Sequence, residues 1–448
     1  VHDLLIDTAR RAIRYRNSLS DRRVAPTPAM LAELERFREP LSQQGCSAAT
    51  VIAMLDEVGS PATLATAGGR YFGFVNGSSL PVAVAANWLA TAWDQNAALG
   101  VMSPVAATLE EITLGWLIDL FGLPAGTAGT FVTGATMASF TALAAARHEL
   151  LARAGWNAEA DGLFGAPPVT VVVGQEFHAS IGRALALLGL GRERVLRVPT
   201  DRHGRMRADA LPKLSPGPTI VCLQAGNVNT GAFDPADEIC EWALQYDAWV
   251  HVDGAFGLWA LAAPTHAHLT HGVGRAHSWA TDGHKWLNVP YDCGIALVRS
   301  ADALRGAMAM TAAYLPPSEL RDPMHFGPDA SRRARAVDVW AALKHLGRDG
   351  VADLVTRCCS FAARMGRELA AAGHEVLNDV VLNQVLVAFG DDAQTRRVID
   401  ALQQDGTCWC GVSQWQGRTV MRISVSSWAT TDADVDRALK AMLAIARR

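Results

Sequence analysis

No stretch of the 448-residue chain stays apolar for the ~20 residues that a helix needs to cross a bilayer. The first residues, VHDLLIDTARRAIRYRNSLSDRR, read as an amphipathic helix rich in arginine and not as a secretory leader. The eight cysteines (Cys46, Cys222, Cys240, Cys293, Cys358, Cys359, Cys408, Cys410) show neither disulfide spacing nor a CxxC metal knuckle. Several lie in apolar runs, where a reduced thiol behaves as a small hydrophobe, so a reducing, cytoplasmic setting and no metal are expected. A charge excess is also missing. The formal net charge of -4 points to neither nucleic acid nor an anionic membrane as a partner. The chain has no internal repeat and no low-complexity tract.

What is present suits a large globular protein. The chain is 50% hydrophobic and 19% charged, enough for a sizeable core and too long for one simple layer. Residues 1–60 are helical by pattern, with a break at Ala25-Pro26-Thr27-Pro28, and read as an N-terminal packing segment. Residues 61–300 read as a large α/β domain. After the loop YFGFVNGSS (71–79), two long helices each open on a proline, at Pro81 and Pro104. Short β-branched runs then alternate with helical stretches: VTVVV (169–173), VLRV (195–198), TIVCLQ (219–224), WVHVDGA (249–255) and DCGIALV (292–298). Helices are expected between them over 180–189, 207–214 and 236–246. Continuous apolar runs separated by helices predict a mostly parallel sheet with helices on both faces, and such sheets bind ligands at the carboxyl ends of their strands. Residues 301–448 read as an α+β C-terminal domain: helices over 331–347 and 349–373, short strands, a helix near 394–404, a hairpin and a final helix from Asp432.

Four strand ends carry chemistry. In TDGHKWLNVPYDCG (281–294), Lys285 sits between His284 and Trp286 in a stretch poor in charge. A lysine held in such an apolar cleft loses hydration, and the neutral amine then traps carbonyl compounds. A snorkelling lysine at a strand edge explains the residue equally well. In GTFVTGATMASFTAL (129–143), a strand ends at Val132 and Thr133-Gly134-Ala135-Thr136 turns into a helix. Small residues and a helix N-terminus suit a phosphate, although an ordinary capped helix start has the same look, and the pattern is neither a Walker nor a Rossmann fingerprint. In GQEFHAS (174–180), His178 offers a flat ring at a strand-to-helix turn, or is merely solvated. In HVDGAFG (251–257), Asp253 ends a strongly apolar strand, where a carboxylate is costly without a cation; capping of the next turn is the alternative. Together these offer a phosphate cradle, a stacking ring, an anion for a ring nitrogen and an amine for an aldehyde. Pyridoxal 5′-phosphate needs those four partners.

These residues carry a resemblance. FVTGATMAS, FHAS, HVDGAFG, DGHKWLNVPYDCG and SRRAR (331–335) stand in an order that resembles the group II pyridoxal-phosphate-dependent decarboxylases, the glutamate/aromatic-amino-acid decarboxylase family of fold type I. The likeness runs from residue 71 to residue 428. It implies that Lys285 forms the internal aldimine, and that Asp253 pairs with the ring nitrogen. It also implies that Ala255 and His178 pack on the two ring faces, and that Ala135 and Thr136 hold the phosphate with Ser278, Asp282 and His284 nearby. Asn227 falls where the family contacts the ring region. Arg422, in MRISV, matches an arginine used for a substrate carboxylate, and a structural ion pair explains it equally well. The implied reaction is decarboxylation of an L-amino acid to an amine and carbon dioxide through a quinonoid intermediate. The implied assembly is a homodimer with the active site at its interface.

The chain departs from the family pattern in two places. The loop tyrosine of the aromatic decarboxylases falls on Pro323 in an ungapped reading, with His325 and Tyr314 as neighbouring candidates; His325 is carried as a substrate contact. Ala276-His277-Ser278 stands where the family more often has A-D-S. The first departure leaves room for another reaction on the same cofactor: a carbon–carbon lyase, an aldehyde-forming oxidative decarboxylase or an aminotransferase. A non-catalytic scaffold is disfavoured, because it has no need of both Lys285 and Asp253. The substrate is not legible. No Arg or Lys cluster announces an acidic pocket, and Phe72, Phe74, Trp93 and Phe326 suit an aromatic side chain only weakly.

Overall fold

The computed structural model describes residues 1–310 and 320–448, so Tyr314 lies outside the described residues. The chain divides into two compact units. One comprises residues 79–360 and 378–384; the other comprises 1–78, 361–377 and 385–448. This partition differs from a division at residues 60 and 300. The reason is long-range pairing: Arg70, 3% exposed, donates to the carbonyls of Ser20, Arg22 and Thr407, and strand Tyr71–Phe72 pairs in parallel with Trp409 and Cys410.

The first unit is built on a seven-stranded sheet of β1 (Ala128–Val132), β2 (Thr170–Gly174), β3 (Leu196–Val198), β4 (Thr219–Gln224), β5 (Trp249–Asp253), β6 (Ser278–Asp282) and β7 (Gly294–Val298). Their order across the sheet is β1-β7-β6-β5-β4-β2-β3. Six strands run the same way, and β7 alone is antiparallel to both of its neighbours. The expectation of a mostly parallel, doubly covered sheet holds. Strands β4 to β7 are buried at every residue, which is why they read as continuous apolar runs. β6 escapes that pattern, since Ser278, Thr281 and Asp282 make SWATD too polar to stand out.

Because the parallel strands share a direction, their carboxyl ends meet at one edge of the sheet. The register aligns them: Gln224 is opposite Asp253, Asp253 opposite Ala280, and Gly294 opposite both Asp282 and Val132. Helix Ala135–Arg153 leaves β1 at this edge and buries Ala138, Ala142, Ala145 and Ala146. Alanine suits that role, combining high helix propensity with little bulk between helix and strands. Gly294 permits the tight start of β7, since a Cβ there would lie 2.4 Å from the carbonyl carbon of Gly134. The helix expected over 207–214 is only a 3-10 turn, Ala208–Ala210. Pro212 and Pro218 remove amide donors just beyond it. The two helices expected over 331–373 are present within Arg335–Ala371, separated at Gly347, whose φ of 63° is not helical.

The second unit carries a five-stranded sheet, ordered 71–72, 409–415, 418–424, 384–388, 375–376. The hairpin of residues 409–424 and the final helix, Asp432–Ala446, match the sequence pattern. Thr431 and Asp434 form a reciprocal capping box at the start of that helix. All eight cysteines are free thiols. Among the described residues no helix is long and apolar enough to cross a membrane, and no cluster of three metal-ligating side chains occurs.

Candidate active site

The carboxylate of Asp282 is the hub of the strand-end edge. It is 2% exposed, and its Oδ1 accepts the N–H of Ala135 at 2.6 Å. Its Oδ2 lies 3.0 Å from Lys285 Nζ and 3.7 Å from His284 Nε2. One acid therefore joins the first N–H of helix Ala135–Arg153 to the lysine, where the positive end of the helix favours negative charge. The indole of Trp259 donates to the Asp282 carbonyl at 3.0 Å and fixes the strand end from below. His284 stacks on Tyr291 at 4.2 Å, and its Nδ1 accepts the N–H of Cys293 at 3.0 Å. Burial lowers its pKa, so the ring is neutral, with its hydrogen on Nε2 facing Asp282.

Asp253 ends the adjacent strand and is 5% exposed. Burial raises its pKa, opposed by electrostatic interaction with His178 and Lys285. One oxygen accepts the N–H of Ala255 at 3.2 Å. A carboxylate so enclosed, with a single backbone hydrogen bond, asks for a cationic partner. The turn after Asp253 is tied to the neighbouring strand, since the Ala255 carbonyl accepts the Asp282 N–H at 3.0 Å. Ala255 itself is half-buried, and its side chain is only a methyl group.

His178 stands at the carboxyl end of β2 and caps helix Ala179–Leu187, its Nδ1 accepting the Ser180 N–H at 3.2 Å. Its ring is exposed. Thr136 is the second residue of helix Ala135–Arg153, half-buried beside Ala135. Asn227 follows β4 at the same edge, buried, with its side-chain oxygen accepting from the N–H groups of Asn229 (2.9 Å) and Thr230 (3.2 Å). Its observed role is therefore to hold its own loop.

Three expected residues are not tied into this group: Ser278, His325 and Arg422. Ser278 begins β6, roughly 13 Å of extended strand from Asp282. Its hydroxyl is buried between Trp249 Nε1 (2.9 Å) and His251 Nδ1 (3.0 Å), so it is not a cofactor contact. The motif puts it near the lysine in sequence, and the strand carries it to the opposite edge. His325 closes a 3-10 turn, Pro323–His325, and no hydrogen bond or ion pair joins it to Lys285 or Asp282. Its Nδ1 is buried without a partner. Arg422 belongs to the other unit. There it lies on strand Arg418–Ser424 with Nε buried and unpartnered, and burial lowers its pKa against the opposing influence of Tyr71. Sequence reasoning missed Trp259 and gave no role to Tyr291 or to the buried arginines of the SRRAR motif. Arg332 pairs bidentately with Glu110 and bonds the Phe131 carbonyl, while Arg335 pairs with Asp292. No local signal marks such partners, which lie up to 222 residues apart.

The arrangement fits pyridoxal phosphate on this structure's own terms. Asp253 supplies a buried acid with an oxygen to spare, Lys285 an amine beside an acceptor for its proton, and residues 134–136 a helix start free of bulk. Comparison with known proteins agrees. Residues 68–390 match the pyridoxal-dependent decarboxylase conserved domain. An aromatic-L-amino-acid decarboxylase of Bacillus atrophaeus is 32% identical over 290 residues, covering 62% of this chain and 58% of that one. An L-2,4-diaminobutyrate decarboxylase of Rhizobium meliloti (strain 1021) is 29% identical over 432 residues, 91% of this chain and 84% of that one. The solved structure of Oryza sativa TDC with PLP and tryptamine superposes with a TM-score of 0.92 at 21% identity, over 100% of this chain and 97% of that one. The chain belongs to the pyridoxal-dependent decarboxylase family.

Proposed function

We propose that the protein removes carbon dioxide from an L-amino acid to leave the amine. The observation that carries this reading is that a buried acid, Asp253, ends one strand and Lys285, paired with Asp282, follows the end of the adjacent strand, at the edge where a helix N-terminus also points. When bound, pyridoxal phosphate supplies an electron sink for the carbon that loses its carboxylate. Asp253 holds a proton on the ring nitrogen and so keeps that sink deep. Asp282, 3.0 Å from Lys285 Nζ, accepts the proton that the amine must shed before it can attack a carbonyl carbon. The Thr136 hydroxyl and the N–H groups of the helix start bind the phosphate, and the Ala135 N–H is shared with Asp282. His178 and Ala255 confine the ring from its two faces.

Arg422 is assigned to the substrate carboxylate by its motif, and its unpartnered Nε is consistent with that. His325, whose Nδ1 also lacks a partner, is the candidate to meet substrate from the segment where a tyrosine is absent. The assembly proposed is a cytoplasmic homodimer with its active sites at the interface. The exposed Trp88, Leu89, Trp93, Val105, Ile112 and Trp116, on helices Pro81–Trp93 and Pro104–Leu120, suit such a partner.

The test is a panel of aromatic, acidic and diamino L-amino acids, offered with pyridoxal phosphate and read by carbon dioxide release and mass spectrometry. Amine plus carbon dioxide is expected from at least one. Ammonia with an aldehyde, or a keto acid, would overturn simple decarboxylation in favour of another reaction on the same cofactor. Borohydride should attach the cofactor to Lys285, and Lys285→Ala should abolish both the label and the visible absorbance. A label on another residue sinks the assignment.

A further inference from the structure

A buried polar chain lies behind the site and takes no part in the chemistry proposed above. His251 precedes Asp253 by two residues on β5, so the two side chains point to the same face of the sheet. It is 0% exposed, and burial lowers its pKa to about 3, which keeps the imidazole neutral. Nδ1 lies 3.0 Å from Ser278 Oγ, and Nε2 lies 3.3 Å from Ser139 Oγ. The same Ser278 oxygen receives the indole N–H of Trp249 at 2.9 Å. An indole can only donate, so Ser278 accepts from it and must place its own hydrogen elsewhere. His251 Nδ1 is the acceptor at hand, which leaves the ring hydrogen on Nε2, aimed at Ser139. The chain therefore runs in one direction, Trp249 to Ser278 to His251 to Ser139, and the Trp249, Ser278 and His251 donors each find an acceptor.

Its endpoints give it meaning. Ser139 is the fifth residue of helix Ala135–Arg153, one turn in from the N–H groups at the phosphate end of the site. His251 and Ser278 belong to the two strands that end in Asp253 and Asp282. Apolar packing of alanines against a sheet tolerates small slides of the helix, whereas a buried hydrogen-bond chain favours a single register. We propose that His251, through Ser139 and Ser278, is a positioning residue that sets the spacing between the phosphate-binding helix start and the ring-nitrogen acid Asp253. This rests on the cofactor reading above. It also explains why a serine in the motif before the lysine is buried far from the cofactor end.

The experiment compares pyridoxal 5′-phosphate with pyridoxal, which lacks the phosphate, on the apo protein. Binding is followed by visible absorbance and tryptophan quenching, in wild type, Ser139→Ala, His251→Leu and His251→Gln. A loss of spacing falls on the ligand held at both ends. Ser139→Ala and His251→Leu should weaken pyridoxal phosphate about tenfold and pyridoxal by less than about twofold. His251→Gln, which keeps a donor and an acceptor, should recover most of the loss. Ser139→Ala removes one oxygen from a helix and serves if His251→Leu does not fold. Equal weakening of both ligands, or no change in either, would overturn the positioning role and leave a plain packing role. If wild type binds neither ligand and borohydride labels nothing, the cofactor reading itself fails, and the positioning role falls with it.

Discussion

Replacing Asp253 by asparagine should move stability and activity in opposite directions. In the apo protein the carboxylate is 5% exposed and accepts one backbone hydrogen bond, at 3.2 Å. Burial raises its pKa above the unfolded value of about 3.9, so ionising this group costs the folded state stability. An asparagine keeps the acceptor for the Ala255 N–H and removes the charge. By the usual cost of an under-satisfied buried group, Asp253→Asn should stabilise the apo protein by about 1–3 kcal/mol at neutral pH. The sign with pH follows from the raised pKa. Below about 3.9 the acid is protonated in both states and the advantage vanishes; it grows as pH rises above that value and is full once pH passes the folded pKa. With cofactor bound, the same change strips a cationic ring nitrogen of its buried partner, which typically costs about 3–5 kcal/mol. At about 1.4 kcal/mol per factor of ten, that is a loss of roughly two to four orders of magnitude in kcat. Urea denaturation of the apo forms at pH 5 and pH 8, with decarboxylation measured on the loaded forms, reads both halves. A variant less stable than wild type at pH 8, or one keeping more than a tenth of kcat, would refute the argument.

Other outcomes follow from the same geometry. Glu110→Gln removes the carboxylate shared by Arg321 (3.0 Å) and Arg332 (2.8 Å), all nearly buried, and should lower stability by about 3–5 kcal/mol in urea; a change under 1 kcal/mol would show that the pair is not structural. Asp338, with Oδ1 buried and unpartnered, has its pKa pushed up by burial to about 6. That rise from 3.8 is worth roughly 3 kcal/mol of destabilisation, full above pH 6 and absent below about pH 4. Asp338→Asn should therefore stabilise the protein at pH 7.5 and not at pH 4, and a gain of equal size at both pH values would count against it. Lys285→Ala should leave the apo protein folded by circular dichroism while abolishing carbon dioxide release. Among the described residues its ammonium is paired with Asp282, so global unfolding would point to a structural role for the ammonium instead.

Much of the site is legible in sequence because its signals are local. An apolar run ending in a lone carboxylate, a lysine inside TDGHKWLNV, and a strand turning through Gly-Ala-Thr into an alanine-rich helix each occupy a handful of consecutive residues. Chain connectivity alone carries Asp253, Lys285, Ala135 and His178 to strand ends, and the run of buried parallel strands makes those ends share an edge. The reading weakens where it assumes that neighbours in sequence are neighbours in space. Ser278 is seven residues from Lys285, yet an extended strand separates it from Asp282 and turns its hydroxyl to Trp249 and His251.

The amino-acid order by itself determines the fold class, through periodicity, and marks the family, through short motifs whose geometry is local. Tertiary structure decides the rest. It sets Asp282 between the helix start and the lysine, buries His251 in a polar chain, pairs Glu110 with Arg332 across 222 residues, and joins residues 1–78 to the C-terminal segments. Those outcomes depend on which surfaces meet when the sheet closes and water is expelled, and a buried polar group finds its partner only then, wherever in the chain that partner lies.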